Sequence, residues 1–229
     1  MSNDAITAQN YFYSLRSQQI IHIWQGIYKS QQNLITLVLG TFTNSYWGPI
    51  MSTRILSYQN ASKSHTNIIL AMTGYISCGN PTAAYVAIAN LSALYAGCDT
   101  DLPNVKNLIQ SIAKVASNFS VGLGMYESGS GMVEYNAEMT GRDTPGATAQ
   151  YIAFHRDPRI ANVYLVYYTM YNTFNLTENN HFAYVGLPSM YGPWYLLEYQ
   201  AQNVSTAYRY QAILQIINQT RVSTFKKVG

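Results

Sequence analysis

The sequence predicts an α/β fold made of parallel βαβ units. Three features carry that prediction: short β-branched apolar runs, the glycines that stop them, and apolar residues at helical spacing in between. A chain of 229 residues with 48% hydrophobic content can bury a sizeable core, which rules out disorder.

Tyr11, Phe12, Leu15, Ile20, Ile21, Ile23, Trp24 and Ile27 recur at helical spacing, so the chain opens with an amphipathic helix over about residues 8–30. Residues 34–40 form a β-branched run stopped by glycine, and a helix follows over about 49–58. Residues 67–74 repeat the device, leading into the turn Cys78 to Pro81 and helical patterns at about 82–96 and 102–117. A third strand spans about 120–126, followed by a glycine-rich loop to Gly146 and helices near 147–155 and 158–173. Residues 181–186 read as a fourth strand, and the last helix spans about 205–218. Nothing resembling a linker interrupts the series, so one domain is expected over residues 1–229.

Thirteen basic and ten acidic residues are scattered along the chain, with no cationic run beyond Lys226 and Lys227. No footprint for nucleic acid or anionic lipid results. The apolar runs have strand length, so no membrane partner is expected. The first residues lack the basic and apolar regions of a signal peptide. Yet six glycosylation sequons occur, at Asn60, Asn90, Asn118, Asn175, Asn203 and Asn218. Cys78 and Cys98 either close one disulfide in an oxidising compartment or remain two thiols. His22, His65, His155 and His181 show no metal-ligand spacing, and the glycines from Gly122 to Gly131 form no phosphate loop. Neither metal nor cofactor is expected. Ser128 and Ser130 lack the nucleophile-elbow pattern.

Ligands of βαβ folds sit at the C-terminal strand ends. Against that map, Asp99, Asp101 and Asp157 read as helix caps, Glu178 as a loop residue, and Glu198 as structural or rim. Glu134, Glu138 and Asp143 fall in the long loop. Glu127 is the carboxylate directly at a strand end, among small residues that leave a ligand room. Aromatic side chains at the strand ends, Tyr75, Tyr191 and Trp194 among them, suit pyranose rings, whose axial C–H faces stack on π surfaces. Loop packing is the expected role of Trp47 and Tyr195, and core packing that of Tyr126, which points away from Glu127.

The segment from Gly124 to Gly131, the run from Phe154 to Ile160, and the stretch from Phe182 through Tyr191, Trp194 and Glu198 to Ala212 resemble the final portion of secreted (β/α)8-barrel glycoside hydrolases and their cellulose-associated relatives, in the retaining clan with two catalytic glutamates. Residues 9–28 and 34–47 resemble the helix after that barrel's fourth strand and its fifth strand. The resemblance implies a partial TIM barrel of about four parallel strands, equivalent to strands five to eight, and an extracellular parent family. It implies Glu127 as the catalytic nucleophile and Trp194 as the sugar platform; Tyr75 and Tyr191, aromatics at the strand ends, are the further substrate-binding candidates. The clan's general acid lies in an Asn-Glu pair on the fourth strand, and this sequence contains no such pair. Retaining hydrolysis needs two carboxyl groups about 5 to 5.5 Å apart. The expectation is therefore a hydrolase-like protein derived from a β-glycosidase acting on cellulose-like polysaccharide and inactive alone. The alternatives are a noncatalytic carbohydrate-binding or scaffold protein, paired with another half-barrel or self-associating through open sheet edges, and a fragment of a full-length enzyme.

Overall fold

The computed structural model describes residues 5–41, 43, 47–61, 67–133 and 141–227. Glu134 and Glu138 lie outside them, as does the side chain of Trp47. Helix α1 (Ala5–Tyr28) runs into a 3-10 segment (Lys29–Leu34), followed by β1 (Thr36–Thr41), α2 (Trp47–Ala61), β2 (Asn67–Ile76), α3 (Ala83–Ile88), α4 (Leu91–Asn118) and β3 (Gly122–Ser130). Then come α5 (Ala147–Arg156), α6 (Ile160–Asn172), β4 (Glu178–His181), a 3-10 turn (Val204–Thr206) and α7 (Tyr208–Lys227). The strands form an all-parallel sheet in the order β1-β2-β3-β4. A helical crossover joins each neighbouring pair, an order compatible with part of an α/β barrel. No helix among the described residues is long and apolar enough to cross a membrane.

The chain packs as two units interleaved in sequence, residues 1–74, 107–127 and 174–180 in the first and 75–106, 128–173 and 181–229 in the second. In the first, Leu39 of β1 pairs with Leu70 of β2 and Thr41 with Met72. Residues Ile69 to Met72 are all buried, as befits a parallel strand covered on both faces. The second half of α4 adds Ile109, Ile112 and Ala116 at helical spacing.

Helix α1 departs from expectation. It buries Asn10, Ser14, Ser17 and Ile21, whereas Phe12 and Ile23 are 63% and 64% exposed and Trp24 and Ile27 also face solvent. The buried positions share one face at helical spacing, three of them small and polar, and α1 packs against α2. Two of their neighbours satisfy backbone groups. The Ser17 hydroxyl donates to the Tyr13 carbonyl at 2.8 Å, and the Tyr13 hydroxyl accepts the Gly40 N–H of edge strand β1 at 2.9 Å.

In the second unit the break expected near Asp99 instead falls at Ala89 and Asn90. The Asn90 side chain accepts the Ala93 N–H at 2.9 Å, starting α4, while Thr82 caps α3. Leu94, Cys98, Leu102 and Val105 then run as one buried stripe past the two aspartates. Asp101 therefore caps nothing; its carboxylate accepts the Ser77 N–H at 3.2 Å. Strand β4 ends where residues 181–186 were expected to begin a strand, and Glu178 lies in it rather than in a loop. The following residues pair elsewhere: Leu196 and Leu197 donate to the Ala183 and Tyr184 carbonyls, and Gly186 donates to Leu197.

Cys78 and Cys98 form a buried disulfide. Gly97 permits it, since a Cβ there would lie 2.5 Å from the Cys78 carbonyl oxygen. The bond spans a sequence separation of 20, and a closed loop of that order removes about 3 kcal/mol of unfolded-state freedom. Replacing both cysteines with alanine should lower the urea-unfolding free energy by about that amount. A loss below about 1 kcal/mol would contradict a structural role.

Candidate functional site

Three of the four residues expected in the site come together in the second unit. Tyr75 is the penultimate residue of β2, and its ring meets the Trp194 indole edge-on, with centroids 5.2 Å apart and planes at 61°. Phe182 approaches the same indole at 5.9 Å and 78°. The Trp194 ring nitrogen donates to the Tyr191 carbonyl at 2.8 Å, which fixes the indole's rotation, while the Tyr191 phenol is exposed. Gly192, at φ +124, cannot be replaced, because a Cβ there would run into the indole. The buried Arg209 of α7 donates to the Pro193 carbonyl and so ties down the loop that carries Trp194. Sequence reasoning took Phe182 for a strand residue. The signal for its role was its place straight after the polar Glu178 to His181 run.

The fourth residue, Glu127, belongs to the first unit and is half-buried within β3 rather than at its end. The strand continues because its polar tail finds partners. Ser128 pairs with the Tyr168 hydroxyl at 3.0 Å, the Gly129 N–H donates to the Tyr167 hydroxyl at 3.3 Å, and Ser130 meets His155 Nε2 at 2.8 Å. His155 Nδ1 donates to the Tyr151 carbonyl at 2.7 Å, leaving Nε2 to accept the Ser130 proton. A hydroxyl beside a neutral imidazole is the geometry of an activated nucleophile. Here the pair is sealed, with Ser130 3% and His155 5% exposed, and Ser130 also accepts the Met132 N–H. It braces the core.

Other expected structural residues take up ionic roles. Arg156 forms a two-pronged pair with Glu198 at 2.7 and 2.8 Å, holding that carboxyl below its ordinary range. Arg159 pairs with Asp157 at 2.8 Å and lies 4.6 Å over the Tyr95 ring. Among the described residues no group of three His, Cys, Asp or Glu side chains is placed to hold a metal ion.

A cavity of about 440 Å³ opens in the first unit. Gln9, Asn10 and Tyr13 of α1 line it, with Met51 and Ile55 of α2 opposite. Thr41 at the end of β1, Thr43 after it, Thr73 of β2 and Tyr126 of β3 complete the polar and aromatic wall. Tyr126 was expected in the core; it is 42% exposed, because Gly40 on β1 has no side chain to cover its ring. Burial, followed by Glu127 and Tyr13, raises its phenol above the ordinary value. Sequence reasoning missed this cavity; the weak signal was Asn10, Ser14 and Ser17 at helical spacing.

No family model matches the sequence, and no curated protein or solved structure matches the chain.

Burial and then the Arg209 charge hold His155 well below the ordinary imidazole range and His181 down to about 3. Unfolded, both titrate near 6.5. The stability gained by keeping them neutral is fully present above that value and is lost as pH falls from it towards 3. Unfolding free energy should therefore drop through that window by up to about 1.4 kcal/mol per pH unit for His181, and His155, depressed in the same direction, adds to the fall. His181→Gln should flatten the slope measured by urea titration, and an unchanged slope would refute the assignment.

Proposed function

We propose that the chain is a glycoside-hydrolase-like carbohydrate-binding protein, derived from a retaining β-glycosidase, that holds a β-linked, cellulose-like polysaccharide without cleaving it. The observation carrying this reading is the Trp194 indole, fixed by the Tyr191 carbonyl and flanked by Tyr75 and Phe182. A rigid, partly exposed aromatic face binds a pyranose ring at little entropic cost, and the exposed Tyr191 phenol adds a hydrogen-bonding group at its edge. The buried disulfide supports an oxidising, extracellular setting. Hydrolysis by this chain alone is disfavoured: the sequence has no Asn-Glu pair, and a missing general acid costs a factor of roughly 10² to 10⁴.

Trp194→Ala should cut retention on insoluble β-glucan about tenfold. The wild-type chain and Glu127→Gln should show the same background on aryl β-glycosides. Undiminished retention would remove Trp194 from the binding role, and turnover dependent on Glu127 would restore the hydrolase reading.

A second reading, a chain that works with another half-barrel, is favoured by the bare apolar face of α1 beside edge strand β1. Such a partner would pair with β1 and cover Phe12, Ile23 and Ile27. Light scattering should then give a mass above 25.6 kDa that Ile23→Glu returns to 25.6 kDa. A wild-type protein that stays at the single-chain mass at all concentrations would argue against it.

A further inference from the structure

We propose that the cavity of the first unit is a second ligand site, which takes one neutral, oxygen-rich molecule of monosaccharide size and shares no residue with the Trp194 group. Its hydrogen-bond balance points to a ligand that brings acceptors. The Ser52 hydroxyl donates to the Gly48 carbonyl at 2.7 Å, so its oxygen is left to take the Thr41 proton at 2.7 Å. The Thr43 hydroxyl donates to the Thr73 carbonyl and receives the Thr73 proton at 2.6 Å. Both cavity-lining donors on the sheet are thus spent, whereas their oxygens keep lone pairs.

Two donors remain. Tyr13 accepts from Gly40 and has its own proton to offer. Asn10 is 2% exposed, and its Nδ2 finds no hydrogen-bond partner. A buried amide left in that state weighs against folding, which is why such groups are few in native proteins. An acceptor supplied by a ligand would relieve it.

The rest of the wall sets the ligand's class. No charged side chain lines the cavity among the described residues, so an ion would be desolvated without compensation. Met51, Ile55 and the Tyr126 ring give apolar surface for the faces of a pyranose, and the volume suits a small-molecule site. Gly40 keeps the space open. A Cβ there would meet Tyr13 Oη at 3.8 Å and Tyr126 Cε1 at 3.9 Å, ordinary contacts, so a larger residue plugs the cavity without a clash. The choice of a sugar among neutral hydroxylated molecules rests on the carbohydrate reading above; the neutrality and the unpaired amide do not.

The test is calorimetric titration of the full chain with methyl β-glucopyranoside and with cellobiose, repeated for Asn10→Leu, Gly40→Val and Trp194→Ala. A saturable component that survives Trp194→Ala is expected, and that component should be weakened about tenfold or more by Asn10→Leu and abolished by Gly40→Val. Asn10→Leu should also raise the thermal midpoint, because it removes a buried unpaired amide, a gain in stability that a purely structural asparagine would not give. Two results would overturn the site: no saturable binding of either sugar, or binding that survives both Asn10→Leu and Gly40→Val. Binding lost only in Trp194→Ala would overturn it while leaving the polysaccharide reading standing.

Discussion

One buried cation organises the second unit. Arg209 reaches the Pro193 carbonyl, and its charge bears on His155, His181 and Glu198. Because burial, and after it that charge, opposes protonation of both imidazoles, His155 stays neutral and can accept from Ser130. The neutral imidazole in turn allows a strand tail of Ser-Gly-Ser to be buried, where a charged one would offer a second donor to a hydroxyl that already receives the Met132 N–H. The same guanidinium fixes the backbone one residue before Trp194. The position of the aromatic face therefore depends on a charge that never touches it.

The tail of β3 shows what such a network demands. Tyr164, Tyr167, Tyr168 and Tyr171 are buried along α6, their rings packed edge to face or tilted. Their hydroxyls are tolerable in the core because the strand supplies polar partners, and the strand is tolerable there because the tyrosines do. Burial raises all four phenols above their ordinary range, so they act as hydrogen-bonding groups rather than acids. Four of the 21 tyrosines are spent on this packing.

How far the sequence could be read follows from the same physics. β2 was legible because a parallel strand buried on both faces is apolar throughout, and the residues from Ile69 to Met72 are so; β1, half-exposed at the sheet edge, was legible from its β-branched run alone. Tyr75 was legible as an aromatic at a strand end, whereas Tyr191 and Trp194 lie in the loop well beyond β4, which stops at His181. The last residues of β3 were not, since serine and glycine signal a loop unless distant tyrosines and histidines happen to receive them. Helix α1 misled for the opposite reason. Its apolar residues repeat at helical spacing, but packing against α2 selected the face with the smaller side chains, so Asn10 went inside and Phe12 stayed out. The helix break at Asn90 was hidden because two aspartates ten residues on looked like better caps than a lone asparagine.

The carboxylates narrow the chemistry from another side. Of the ten acidic residues, Asp101 holds the chain after β2, Asp143 accepts the Thr148 hydroxyl at 2.7 Å near the start of α5, and Asp157 and Glu198 are bound to arginines. Each does structural work that acid–base catalysis would interrupt, because a carboxyl held by arginine resists the protonation that a general acid requires. Retaining hydrolysis asks for two carboxyls poised at one sugar. Binding asks for none, only aromatic faces, hydroxyls and amides, and those are the groups this chain sets around the Trp194 indole and the Asn10 cavity.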